Sequence, residues 1–266
     1  MSKSSKITDL FLNSLKRESF PWRADRGVPI NPRTGNLFSG INLLILDAAA
    51  DQYKYRNKYW ATYQQWYAMG FQVAKSQIGT NVVNWKPYQK TTDNIVEYFN
   101  LMKTYKVFNA DQVFGIDLQK YLISKIEYSD YTQVNSFIAA TGAQIEIDET
   151  CLFPRYEREP DKIIFPLRDK FIDEKQFVAS KLHEICHWSE SRTNWSGSED
   201  QGELIAEITT GYLESLFQIP HDEDLKNCKK WLPKWIEAIE KNPHYLYEVA
   251  KILITCMKLP HKLEEN

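Results

Sequence analysis

Val178-Ala-Ser-Lys-Leu-His183-Glu184-Ile-Cys-His187-Trp-Ser-Glu190 contains H-E-x-x-H, a pattern whose spacing has a specific chemical reason. His183 and His187 stand four residues apart. On an α-helix that puts both imidazoles on one face, able to aim a ring nitrogen at a single metal ion. Glu184 follows the first histidine directly, so its carboxylate lies beside such an ion, placed to take a proton from an activated water. The competing explanation is an amphipathic helix that happens to hold two histidines. The chain has five histidines in 266 residues, so this spacing with glutamate in second place argues against coincidence. Ala179, Leu182, Ile185 and Cys186 supply the apolar positions of a buried helix. The helix is expected over 171–188, started by Asp173 with Gln176 three residues on as a capping pair.

A catalytic ion needs a third protein ligand and one open place. After a polar loop over 191–201, a second helix begins Gly202-Glu203-Leu-Ile-Ala206-Glu207. Glu203 and Glu207 share one face of an otherwise apolar helix, which is costly unless something positive meets them. Ala206 permits close approach of the two helices over Glu203. That makes Glu203 the expected ligand and Glu207 the carboxylate holding the outer nitrogen of a histidine. The reverse assignment stays open, because Glu207 lies deeper in the helix and its distance from His187 resembles that in thermolysin-like enzymes. The expected ion is Zn²⁺. His221, His244 and His261 stand in polar surroundings and are expected at the surface.

Upstream of the metal helix, 144–148 alternates as a strand and 155–161 reads as a polar turn. Residues 162–166 form a short strand stopped by Pro166. Proline cannot donate to a ladder, so this strand is expected at a sheet edge, where an extended substrate could add. A helical pattern covers 117–142, and the domain boundary is expected within 115–130, giving parts 1–125 and 126–266. In the first part, helices are expected over 7–19, 41–51 and 60–69, with a Pro- and Gly-rich loop from Phe20. A hairpin is expected between 71–75 and 81–86, followed by a polar loop over 87–92 and a strand over 103–109. Past Pro220 the chain is helical and amphipathic.

Composition is that of a globular protein, 43% apolar and 26% charged. There is no 18-residue apolar run and no signal-like N-terminus, so a cytoplasmic protein without membrane insertion is expected. The four cysteines form no C-x-x-C pair and are expected as reduced thiols, with Cys186 turned to the core. Net charge is −2, but residues 1–90 carry 13 Lys/Arg against 5 Asp/Glu. This basic part interleaves aromatic and cationic side chains, as single-stranded nucleic acid binding requires. The candidates are Trp22, Arg23, Arg26, Arg33, Lys54, Arg56, Lys58, Lys75, Trp85 and Lys86. Core packing of the same rings is the alternative.

Read in order, the motifs resemble the ArdC-type antirestriction proteins of plasmids and phages. The first part is similar through Pro21-Trp22-Arg23, Gly27-Val-Pro29-Ile-Asn31-Pro-Arg-Thr34-Gly35 and Phe38-Ser-Gly40-Ile-Asn42. Tyr59-Trp60-Ala-Thr62-Tyr-Gln64-Gln65 and Val107-Phe108-Asn109 continue it. The second part is similar through His183-Glu184, His187-Trp188 and Glu203-Leu-Ile-Ala206-Glu207. Two departures stand out: the loop between His187 and Glu203 is shorter than usual, and no family motif follows residue 217. The resemblance implies an α+β chain, with a mixed α/β domain binding single-stranded DNA before a mostly helical zincin-like metallopeptidase domain with a small sheet. It further implies protection of incoming DNA from restriction, with an unknown protein substrate such as a restriction component. Two other functions fit the same residues: a non-catalytic DNA-coating protein with a structural metal, or a stand-alone peptidase.

Overall fold

The structure, a computed structural model, describes residues 3–23, 26–92, 95–115, 131–193, 195–221 and 225–258. Side chains are described for these except 3–7, 90–92, 95–100 and 254–258. The expected helix over 117–130 and the surface position expected for His261 lie outside the described residues. The chain is α+β and forms two compact units. One is Pro29–Leu122, and the other joins Met1–Val28 to Ile123–Asn266. The sequence reading cuts the chain once, near 125, whereas the unit holding the H-E-x-x-H also includes Met1–Val28.

In Pro29–Leu122, helix α2 (Ile41–Tyr53) is buried along Leu43–Ala50, as its apolar run requires. Strand β1 (Trp60–Ala61) precedes helix α3 (Tyr63–Ala68). Thr62 caps α3, and Gln65 completes a capping box, so the helix expected from residue 60 starts only at Tyr63. Strands β3 (Thr80–Thr92) and β4 (Ile95–Asn109) form a long antiparallel hairpin, with β1 on the other side of β4. The hairpin expected between 71–75 and 81–86 does not form. Instead β2 (Gln72–Val73) pairs with β5 (Val113–Phe114). Pro87 made 87–92 read as a loop. It sits in β3, an edge strand, where a residue without an N–H is tolerated.

In the other unit, helix α4 (Thr132–Ala140) precedes a three-stranded sheet of β6 (Gln144–Ile147), β7 (Arg155–Glu157) and β8 (Lys162–Phe165). The order is β6-β8-β7, with β8 parallel to β6 and antiparallel to β7. The edge position expected for 162–166 is therefore wrong, since β8 is central. Its ladders end at Phe165, so Pro166 forfeits no bond, and Ile163, Ile164 and Phe165 are buried. The edges are β6 and β7, the latter within the segment expected to be a turn. Helices α5 (Glu174–Glu190), α6 (Glu199–Leu216), α7 (Lys226–Lys241) and α8 (Tyr245–Lys258) follow. Val178, Leu182, Ile185 and Cys186 of α5 share one core with Val134, Phe137, Ile163, Phe165, Ala206 and Leu213.

The N-terminal segment Met1–Val28 completes this unit. Phe11 and Leu15 of helix α1 (Lys3–Lys16) are buried, and Phe11 stacks on Trp22 at 5.7 Å. Trp22 meets Trp235 of α7 edge-on at 6.4 Å. No helix among the described residues is long and apolar enough to cross a membrane. Cys151, Cys186 and Cys228 are buried and in no disulfide among the described residues.

Candidate metal centre

Helix α5 brings the two histidines together. Asp173 caps its start, accepting from the N–H of Gln176 at 2.8 Å. One turn separates His183 from His187, and their Nε2 atoms lie 3.1 Å apart. Helix α6 supplies the carboxylate. Glu203 Oε2 is 3.7 Å from His183 Nε2, and its Oε1 is 3.8 Å from His187 Nε2. One ligand atom from each of these three side chains falls within 4.8 Å of the others, the spacing a single ion needs.

The outer nitrogens are also engaged. His183 Nδ1 faces Glu207 Oε1 at 3.7 Å, and His187 Nδ1 faces Glu190 Oε1 at 3.4 Å. A carboxylate beside Nδ1 favours the proton there, which leaves the Nε2 lone pairs for a metal. At 3.1 Å the two Nε2 atoms can share one proton in a hydrogen bond, or turn both lone pairs to one cation. The donor set therefore fits a divalent ion. Glu203 occupies the position facing both Nε2 atoms, and Glu207 the one behind His183.

Glu207 is itself held from three sides. Its Oε2 accepts from Arg23 Nη2 at 2.6 Å and from Cys228 Sγ at 2.9 Å, and its Oε1 from Asn227 Nδ2 at 2.6 Å. The Asn227 amide also reaches Glu203 Oε2 at 3.3 Å. Burial works against charge on Glu207, but the Arg23 guanidinium and the other partners outweigh it and lower the carboxyl to about 2. Arg23 reaches this place because α6 has no side chain at Gly211. A Cβ there would lie 2.8 Å from the carbonyl oxygen of Trp22.

Glu184 points to the sheet side and accepts from the backbone N–H of Tyr156 in β7. Burial raises its carboxyl to about 7, against the opposing effects of His187 and that N–H. His183 is lowered to about 4, first by burial and then by the charge of His187. Burial also opposes charge on His187, yet Glu190 reverses the balance and raises it.

The sequence-expected DNA residues separate. Trp22 is 2% exposed and Arg23 is ion-paired to Glu207. Both are packed beside the candidate metal centre, which corrects their assignment to a nucleic-acid surface. Arg26 donates to the carbonyl of Pro21 at 3.2 Å. Arg33, Lys54, Arg56, Lys75, Trp85 and Lys86 are exposed, and Lys58 is half-buried over the Tyr59 ring. His221 is also corrected: its side chain is buried, with Nδ1 2.7 Å from Glu214 Oε2. Glu190, Asn227 and Arg23 were not read as part of the site. Of these, Glu190 alone had a local signal, standing three residues after His187 on the same helical face.

Comparison with known proteins agrees with this architecture. Residues 2–114 match the N-terminal domain of anti-restriction factor ArdC, and residues 132–252 match the zincin-like metallopeptidase family. Two Escherichia coli DNA primases TraC are similar, 26% identical over 282 residues and 25% over 281, each covering 92% of this chain. The chain spans only 25% and 19% of their lengths. An uncharacterized protein y4eC of Sinorhizobium fredii is 27% identical over 251 residues, covering 86% of this chain and 80% of that one. The crystal structure of the antirestriction ArdC protein from the R388 plasmid, in its metal-free form, has a TM-score of 0.84 and 25% identity. The alignment covers 100% of this chain and 99% of that one. Its Mn(II)-bound structure gives 0.82 at the same identity and coverage. Matched in order by both domain families and along its whole length by that structure, the chain has the domain order and fold of the ArdC-type antirestriction proteins.

Proposed function

We propose that this chain is a metal-dependent peptidase joined in cis to a single-stranded-DNA-binding domain, and that it protects DNA from restriction by cleaving a protein of the restriction system. The observation that carries the peptidase half is the convergence of His183, His187 and Glu203 beside a buried Glu184. His183, His187 and Glu203 would hold the ion. Two imidazoles and one carboxylate suit Zn²⁺ and leave a fourth place open. The R388 ArdC structure with Mn(II) supports a divalent ion in this family. When bound, such an ion supplies Lewis acidity to a carbonyl and makes a water acidic near neutral pH.

The protein's own groups do the rest. Glu184 takes the proton of the attacking water and delivers it to the leaving amine nitrogen. Burial raises this carboxyl to about 7 in the metal-free chain, and an adjacent divalent cation would draw it down toward the ionised form a base needs. The Tyr156 N–H orients that carboxylate, and β7, the edge strand next to Glu184, is where an extended peptide would lie. Glu207 and Glu190 keep the histidines in the tautomer that presents Nε2. The DNA-binding half is supported by the match to the ArdC N-terminal domain and by the cations exposed in Pro29–Leu122.

The deciding experiment is Glu184→Ala. The variant is expected to bind metal, to fold and to bind DNA like the wild type, and to lose both proteolysis and protection from restriction. Full protection by the variant would favour a DNA-coating protein whose metal is structural.

A further inference from the structure

We propose that single-stranded DNA binds to one particular face of the β3–β4 hairpin, the face bearing Tyr105, Lys103, Lys86 and Tyr88. The inference rests on the DNA-binding half of the proposed function and gives it a surface. Register fixes which side chains share a side. Val82 stands opposite Tyr105, Asn84 opposite Lys103, Lys86 opposite Leu101, and Tyr88 opposite Phe99. Directly opposed residues project together, and side chains alternate along each strand. Four successive rows on one side therefore present Tyr105, Lys103, Lys86 and Tyr88 in that order.

All four are exposed, Tyr88 at 50% and Tyr105 at 38%, with Leu101 between them at 41%. Neither Lys86 nor Lys103 is in an ion pair among the described residues. Within 80–92 and 95–109 the one acidic residue is Glu97, in register with Lys90 in the row after Tyr88. Rows on one side of a strand repeat about every 7 Å, a spacing that lets neighbouring nucleotides of an extended strand meet successive rows. The terminal rings offer stacking faces for bases, and the two ammonium groups between them offer contacts to the phosphates. The opposite side carries Trp85 with Met102 and Pro87 with Asn100, and its one cation, Lys106 opposite Asn81, stands two rows from Trp85. Trp85 and Lys86, adjacent in sequence, thus face opposite ways. A lysine adjoins each ring on the Lys86 side and none stands in the rows adjoining Trp85, which selects the Lys86 side.

The test is fluorescence anisotropy of the full chain with labelled oligothymidylate and with a duplex of equal length. Lys86→Gln/Lys103→Gln should weaken single-strand binding by tenfold or more and lower the slope of log K against log salt by about 1.4, roughly 0.7 per phosphate contact. Tyr88→Ala/Tyr105→Ala should weaken binding about thirtyfold or more with the slope unchanged. Trp85→Ala should stay within about twofold of wild type, because its side is not used. Lys86→Arg/Lys103→Arg should keep wild-type affinity, which separates lost charge from lost fold. Wild-type affinity in the Lys→Gln and Tyr→Ala variants would overturn the assignment while leaving DNA binding intact, as would a loss confined to Trp85→Ala. Tighter binding to the duplex would also overturn it. A wild-type chain that binds no single strand at low salt would instead overturn the DNA-binding reading itself.

Discussion

At the residue scale, Glu203 and Glu207 take different positions on a helix face whose spacing alone does not separate them. Glu203 faces both Nε2 atoms, whereas Glu207 meets only His183 Nδ1 and is occupied by Arg23, Asn227 and Cys228. A carboxylate accepting three hydrogen bonds has little lone-pair capacity left for an ion. Glu207→Gln is therefore expected to weaken metal binding by about 10- to 100-fold, the usual effect of losing the partner of a ligating histidine. Glu203→Ala should cost more than that and leave the ion barely held. Calorimetric titration of each metal-free variant with Zn²⁺ measures both, and the opposite order would make Glu207 the ligand. The sequence showed that two carboxylates faced the histidines, because i, i+4 spacing is a local fact. It could not show their order of approach, which depends on Arg23 arriving from 184 residues away. His221 failed for the same reason: polar neighbours in sequence suggested exposure, but its partner is the buried Glu214.

At the element scale, long periodic segments were legible and short strands were not. Helices α2, α5 and α7 stand within a few residues of where apolar spacing put them, since each buries a face long enough to repeat. Strand β7 has three residues, all polar or amphipathic, and offers no alternation to read. Its role at the sheet edge was consequently given to β8, whose proline looked like a stop signal. Helix α6 makes its own element-scale prediction. Glycine inside a helix usually costs about 1 kcal/mol relative to alanine, so Gly211→Ala would ordinarily stabilise. Here the added Cβ would sit 2.8 Å from the Trp22 carbonyl oxygen and 2.9 Å from its ring. The backbone of Pro21–Arg23 cannot yield as a flexible side chain would. The variant is expected to lose roughly 1–3 kcal/mol by overpacking, measured by urea unfolding of the metal-free chain. As Arg23 is displaced from Glu207, Zn²⁺ affinity should fall in the same variant.

At the scale of the molecule, the two-part organisation was legible from the charge asymmetry and the motif order, but the membership of Met1–Val28 was not. The ties of this segment are long-range and leave no pattern in sequence. Thr8 Oγ1 donates to the carbonyl of Pro243 at 3.2 Å, Lys16 pairs with Glu240, and Trp22 packs against Trp235. Apolar residues of α1 thus help close the core around the metal helices, although they precede the other unit in the chain. Removing Met1–Val28 is therefore expected to damage the unit that holds His183 and His187, not the unit Pro29–Leu122 that the deletion adjoins. Hydrogen exchange would resolve the two. Protection should fall in α6 and α7 of the truncated chain, where Trp22 and Arg23 leave an apolar gap and an unpaired buried Glu207. Protection in α2 and at the base of the β3–β4 hairpin should be unchanged, because Asn42 holds Val83 through both of its backbone groups within that unit. Added Zn²⁺ should restore part of the lost protection in α6, since binding to the folded state stabilises it by mass action. Equal loss in both units would mean that Met1–Val28 stabilises the chain as a whole; loss confined to Pro29–Leu122 would place the segment with that unit after all.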